Sequence, residues 1–130
     1  MRQTSDAFKI FNAKAATGTG VSFNASDYEH IVISVATASS ANFTIKFQGA
    51  ISDEAPTFSD AQSVANMWDY VEVIDLQSGS AIDGDTGVSA AGTDDFRLFE
   101  VNTNGLKWVN ATLTAYAAGA ITVVAKGFSA

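Results

Sequence analysis

Most of the chain alternates between hydrophobic and polar residues with a period of two. The alternation is regular in residues 42–48, where Phe43, Ile45 and Phe47 fall on one face. Similar stretches are rich in Val, Ile, Thr and aromatic residues and are separated by Gly, Ser, Asn and Asp. They lie at residues 8–13, 21–23, 29–35, 68–76, 96–101, 106–116 and 120–128. This pattern is typical of β-strands and predicts about eight of them. Because one face of each strand is polar, we expect antiparallel sheets with a single buried face.

Two segments depart from this period. Residues 56–66 begin with Pro-Thr and place hydrophobic residues at helical spacing, which predicts either one short helix or an ordered loop. Residues 77–95 are dense in Gly, Ser and Asp, which indicates a long loop with a short strand near Val88.

Two parts of the chain resemble each other. Residues 31–49 and residues 108–127 each contain a hydrophobic stretch, a turn-like run of small residues and a second hydrophobic stretch that ends at Gly. Either these are equivalent β-hairpins, or they are alike only as any two hairpins are. Equivalent hairpins would lie in facing sheets, with the middle of the chain crossing between them. We therefore predict an all-β, antiparallel β-sandwich, jelly-roll-like, with at most one short helix.

The beginning of the chain allows two interpretations. A Gly-Thr-Gly motif at residues 18–20 marks a flexible joint, so residues 1–20 are either an N-terminal arm plus first strand or an ordinary first strand. In the arm, Phe8, Ile10 and Phe11 are the candidate interface residues, because they supply hydrophobic surface to bury against a neighbour. The 130 residues as a whole have the length of one domain.

Composition narrows the possible functions. With 7 Lys and Arg against 14 Asp and Glu, the net charge is −7, which disfavours binding to nucleic acid phosphates. The absence of cysteine excludes disulfides and thiolate metal sites, and the single histidine, His30, has no partner for a histidine metal cluster. No signal peptide and no apolar run of about 20 residues is visible. We therefore expect a protein made in the cytoplasm, without a membrane-spanning segment.

Few residues are candidates for chemistry. His30 lies in a strand pattern, where a surface or hydrogen-bonded histidine is far commoner than a general base. Asp83 and Asp85 alternate in a Gly-rich segment and resemble the start of a calcium loop, but the closing Glu is missing and a plain turn is favoured. Trp68 and Trp108 stand beside Val and Ile, which favours core packing over an exposed sugar-binding platform. Apart from the candidate calcium site, the sequence predicts no catalytic, cofactor-binding or metal-binding residue.

Three segments together resemble a known group of domains. They read FNAKAATGTG at residues 11–20, KFQGAIS and then PTFS within residues 46–59, and NGLKWV and then AGAITV within residues 104–123. Their order of strands and turns resembles the small β-sandwich domains of tailed-bacteriophage virion proteins, among them capsid decoration, head-fibre and tail-appendage proteins. The resemblance spans nearly the whole chain and includes no catalytic motif.

The resemblance implies a non-enzymatic structural component of a phage virion, made in the host cytoplasm. Capsid decoration is the expected role, with the major capsid or tail protein of the same virion as partner, homo-oligomers, and no nucleic acid, membrane or cofactor. Docking of residues 1–14 on the neighbour is the expected contact. The alternative is a host-recognition or carbohydrate-binding module of a tail appendage, which needs exposed aromatic residues. A small hydrolase or lyase on the same sandwich is disfavoured because the only histidine lacks catalytic partners.

Overall fold

The computed structural model describes residues 3–103 and 105–129. Within these residues the structure contains strands and loops but no helix, so none that could cross a membrane is found there. The strands are β1 (Gln3–Thr4), β2 (Phe8–Lys14), β3 (Gly18–Thr19), β4 (Phe23–Asn24), β5 (His30–Ala50), β6 (Asp69–Tyr70), β7 (Val73–Asp75), β8 (Ala81–Ile82), β9 (Val88–Thr93), β10 (Phe96–Asn102) and β11 (Trp108–Ser129). Every pairing between them is antiparallel. The predicted all-β, antiparallel class is therefore confirmed, with more strands than the pattern indicated.

Two long strands organise the molecule. β5 has 21 residues and β11 has 22, and they pair with each other from Trp108 opposite Ala50 to Phe128 opposite His30. The two segments predicted to be hairpins are therefore single strands that pair with one another, and that prediction is wrong. Their small-residue runs bend the strands without reversing them, because backbone pairing between β5 and β11 continues on both sides of the bend.

The bend combines a left-handed backbone with shifts of register. Ser39 and Ser40 of β5 have φ of 62° and 53°, and Gly119 of β11 has φ of 95°. The pairing shifts register on either side of Ala118. Each such irregularity increases the local bend and twist of a strand. The two halves of the long strands thereby enter two different layers.

Layer 1 contains residues 30–36 of β5 and residues 121–128 of β11. These segments pair with β10 on one side and with β1 and β2 on the other, and β7 and β8 extend the layer beyond β10. Layer 2 contains residues 41–50 of β5 and residues 108–116 of β11, which pair with β6 and β9 on one side and with β3 and β4 on the other.

The core lies between the two layers. Alternate residues of both long strands are buried there: Ile31, Ile33, Val35, Phe43, Ile45, Phe47, Val109, Ala111, Leu113, Ile121, Val123 and Ala125. Phe47 of layer 2 contacts Phe99 of layer 1, with ring centroids 6.0 Å apart. This packing explains the period of two, because every second side chain of a strand points into the space between the layers and is buried there.

The structure decides between the two expectations for residues 56–66, and it places more strand than expected in residues 77–95. Residues 51–67 form turns and bends, which makes them the ordered loop and not the short helix. Phe58 anchors this loop, because it is buried at 4% exposure against Trp68. Residues 77–95 contain β8 and β9, and β9 begins at Val88, where a short strand was predicted.

Candidate interaction surface

The candidate interface residues near the N-terminus lie in the molecule's own sheet. Phe8 pairs opposite Ala125 and Phe11 opposite Val123, while Ile10 and Phe11 are only 2% and 3% exposed. The half-buried Phe8 packs edge-on against Phe23. The described residues thus form an ordinary first strand. Docking of residues 1–14 on a neighbour stays a prediction; it requires β2 to leave β11, and residues 1 and 2 lie outside the described residues.

The candidate calcium residues form a turn. Asp83 Oδ1 accepts hydrogen bonds from the backbone N–H groups of Asp85 at 2.8 Å and Thr86 at 3.4 Å. The acidic pair at residues 94–95 lies at the far end of β9, about 20 Å away for a strand of that length. Within residues 3–103 and 105–129, no three His, Cys, Asp or Glu residues are grouped as metal ligands would be. The geometry is that of an Asx turn.

The two tryptophans fasten the loop at residues 51–67 to layer 2. Trp68 is 5% exposed, and its Nε1–H donates a hydrogen bond to the carbonyl of Asp60 at 3.2 Å. The half-buried Trp108 donates in the same way to the carbonyl of Ser52 at 3.0 Å. Core packing is therefore confirmed for Trp68, and both indole groups serve packing with a satisfied N–H.

His30 is held by its neighbours on the outer face of layer 1. Its Nδ1 lies 2.9 Å from Glu100 Oε1, which makes an ion pair when the ring is protonated. The ring also stacks on Phe128, with centroids 5.3 Å apart. The histidine is thus a paired surface residue, as the sequence indicated.

Beside this pair, the outer face of layer 1 is unexpectedly apolar. The register places Val124, Ser34 and Leu98 in one row across β11, β5 and β10, and it places Lys126, Val32 and Glu100 in the next row. A groove of about 560 Å³ runs over these rows. We call it the outer groove, and it is lined by Thr4, Ala7, Val32, Ser34, Leu98, Val124, Lys126, Gly127 and Phe128.

Large apolar side chains in and beside the outer groove are open to water. Leu98 is 40% exposed, and Phe96, on the same face of β10, is 65% exposed. Lys126 is the charged side chain that lines the groove, in a chain whose net charge is −7. An apolar centre bordered by a few polar groups is the usual anatomy of a protein–protein interface.

The outer face of layer 2 is covered by the protein's own loop. On this face Trp108 pairs opposite Ala50, in the row next to Gln48. Ala50 packs in a hydrophobic cluster with Phe58 and Trp68, and Gln48, only 1% exposed, donates from Nε2 to the Phe58 carbonyl at 3.0 Å. The described residues therefore bury much of this face, whereas they leave the outer groove on layer 1 open.

The sequence holds a signal for the outer groove that periodicity alone does not reveal. Val32, Leu98 and Val124 are each hydrophobic where the alternation calls for a polar residue, because each stands next to a core residue. One such interruption is common in any strand. Only the register of β10, β5 and β11 shows that the three interruptions lie side by side.

Comparisons with known proteins identify the fold. No protein-family model and no curated protein matches the chain. The structure is similar to that of the SPBc2 prophage-derived protein YomS, with a TM-score of 0.70 and 14% identity over 99% of this chain and 96% of that chain. It is also similar to the PBSX exported protein XepA, with a TM-score of 0.72 and 15% identity over 98% of this chain and 38% of that chain. At such identities the likeness shows a shared fold alone.

Proposed function

We propose that this protein is a non-enzymatic structural protein of a bacteriophage virion that acts by binding another virion protein. The observation that carries the proposal is the apolar outer groove on a face that the described residues leave uncovered. Two phage-derived proteins with the same fold support a phage origin. The resemblance of the sequence to virion β-sandwich domains supports the same assignment.

In this proposal, the outer groove provides affinity by removing apolar side chains from water. Fully burying a side chain such as leucine or phenylalanine contributes about 1.5–3 kcal/mol. Leu98 in the groove and Phe96 beside it are 40% and 65% exposed in the free protein. A partner that covers them would therefore gain much of this free energy on binding.

Capsid decoration is the specific role that we propose, with the major capsid or tail protein as partner and the virion as location. The complementary surface would present apolar side chains toward Leu98 and an acidic group toward Lys126, because this lysine lines the groove. Self-association into homo-oligomers stays part of the proposal, and its test is the mass of the protein in solution.

The experiment begins with mass spectrometry of purified particles, which should contain the chain. Particles lacking it are then mixed with the purified protein or with Leu98→Asp, which places a charge in the outer groove. We expect the variant to fold and to attach at least tenfold more weakly, since a charge buried at the centre of an interface is strongly unfavourable. Val64→Asp is the matched control, because Val64 is 98% exposed on the loop at residues 51–67. Equal attachment of both variants would contradict the proposal.

The host-recognition alternative needs exposed aromatic residues, and Trp68 is only 5% exposed. The neighbouring Tyr70 ring carries Lys46 Nζ at 4.9 Å from its centroid, so that face is occupied. Saturable glycan binding that disappears in Phe96→Ala, a change of the exposed aromatic residue on β10, would revive this alternative.

A further inference from the structure

β9 has a free backbone edge. One edge of this strand pairs with β5, and no described strand pairs with the other. Its six residues, Val-Ser-Ala-Ala-Gly-Thr, include no charge and no proline, and Ser89, Ala91 and Gly92 are exposed. Natural proteins usually protect edges by short strands, charged residues or proline, since a free edge pairs readily with another chain. The described strands β1, β3, β4, β6 and β8 are protected by their length of two residues.

A cleft follows the inner face of the same strand. β10 pairs with β5 up to Ala36, and β9 pairs with it from Ala41, so the two strands separate at the bend. The space between them has a volume of about 250 Å³, and its walls include Val35, Phe43 and Phe99. The cleft is therefore an opening in the side of the sandwich, lined by hydrophobic core residues.

Two polar atoms in the walls of this cleft lack partners. Thr93 Oγ1 and Arg97 Nε are buried and make no hydrogen bond within the described structure. The Arg97 guanidinium does bind Asp75 through Nη2, at 2.5 Å. Thr93 and Arg97 both line the cleft, so a side chain that enters it would meet polar atoms as well as hydrophobic ones.

Charge limits what can pair with this edge. Asp83 and Asp85 precede β9, and Asp94 and Asp95 follow it. A second copy of β9 would bring acidic ends together in either orientation, which is unfavourable. A strand with basic residues at both ends would meet carboxylates at both ends.

We propose that the free edge of β9 receives an extended segment of another protein by strand addition, and that this segment carries basic residues on both sides of a small hydrophobic centre. Backbone hydrogen bonds supply the affinity in this mode of recognition, and alternate side chains that point toward a pocket supply the specificity. The central hydrophobic side chain points toward the cleft between β9 and β10. The site does not depend on the outer groove, which lies on the outer face of layer 1.

The test uses a fluorescent peptide of alternating Thr and Val with Lys at both ends, titrated into the intact protein and followed by anisotropy. We expect saturable binding that weakens with salt, and no binding by the same peptide with Glu at its ends. Ala91→Lys should weaken the peptide about fivefold, whereas Ala91→Glu, a matched change of side-chain size at the same exposed position, should strengthen it. Absence of binding, or equal effects of the two substitutions, would overturn the proposal.

Two methylated peptides test the strand geometry directly. In an added strand, alternate N–H groups face β9 and the others face solvent. Methylating the nitrogens of one alternate set should abolish binding, and methylating the other set should leave it intact. If both peptides bind, or if both fail, the peptide does not bind as an added strand. Sedimentation of the protein alone tests whether a second copy of the chain occupies the free edge of β9. A dimer that both Ala91→Lys and Ala91→Glu dissociate would mean that β9 pairs with a second copy.

Discussion

Replacing Gly119 with alanine tests the bend on which the two-layer arrangement depends. Gly119 has φ of 95°, and a Cβ at this position would lie 2.4 Å from Ala41 Cα and 2.8 Å from the carbonyl oxygen of Ala38. Both atoms belong to the backbone of β5, so no flexible side chain can move aside. The Tyr116 hydroxyl donates to the Gly119 carbonyl at 2.7 Å and holds the bend from the same strand.

The expected loss of stability has two parts. A left-handed backbone at an alanine is unfavourable by about 1–2 kcal/mol. Forcing a methyl group against fixed backbone adds about 1–3 kcal/mol. Gly119→Ala should therefore lower the free energy of unfolding by about 2–5 kcal/mol. Gly79→Ala isolates the first part, since Gly79 has φ of 74° and a Cβ there would meet no atom within 4 Å.

Urea denaturation followed by tryptophan fluorescence gives both free energies of unfolding, and thermal denaturation provides an independent check. For a chain of 130 residues, 1 kcal/mol corresponds to a change of about 4 °C in Tm. Gly119→Ala should melt well below Gly79→Ala. If the two variants lose the same stability, β11 does not approach the backbone of β5 at Gly119, and the bend described above is wrong.

Three smaller predictions follow. A hydrogen bond from the Gln77 N–H, together with the Arg97 side chain, lowers the pKa of Asp75 below its ordinary value of 3.8. The ionised carboxylate therefore stabilises the fold above that value and ceases to do so as pH falls through the lower folded pKa, so the Tm difference between wild type and Asp75→Asn should shrink from pH 7 to pH 2. Calcium should leave the Tm within about 2 °C of its value in chelator, because Asp83 is engaged in a turn; a large rise that Asp83→Ala abolishes would contradict this. Trp68→Phe should lower the free energy of unfolding by about 1–3 kcal/mol, measured by urea denaturation, because the Asp60 carbonyl loses its donor.

The strands were predictable because their signal is local. In residues 42–48, the side chains of Phe43, Ile45 and Phe47 report a buried face directly, and the structure buries all three. The two long strands were not predictable as such, because runs like Ala38–Ala41 are equally suited to a turn and to a bend. Pairing with β11, more than 60 residues away along the chain, decides between them.

The same limit applies to the candidate surface. The sequence directed attention to Phe8, Ile10 and Phe11, since hydrophobic residues near a glycine joint are suited to an arm. The structure pairs that segment with β11 and buries Ile10 and Phe11, which leaves the exposed apolar surface elsewhere. Whether a hydrophobic residue faces the core or the solvent depends on register, and register is a property of paired strands.

A single structural feature, the bend of β5, accounts for the placement of both proposed binding surfaces. Before the bend, β5 pairs with β10 and contributes Val32 to the outer groove; after it, β5 pairs with β9 and leaves the outer edge of that strand free. The groove faces outward from layer 1, whereas the free edge continues layer 2. Partners at the two surfaces would therefore approach from different directions, so one molecule would be able to join two neighbours.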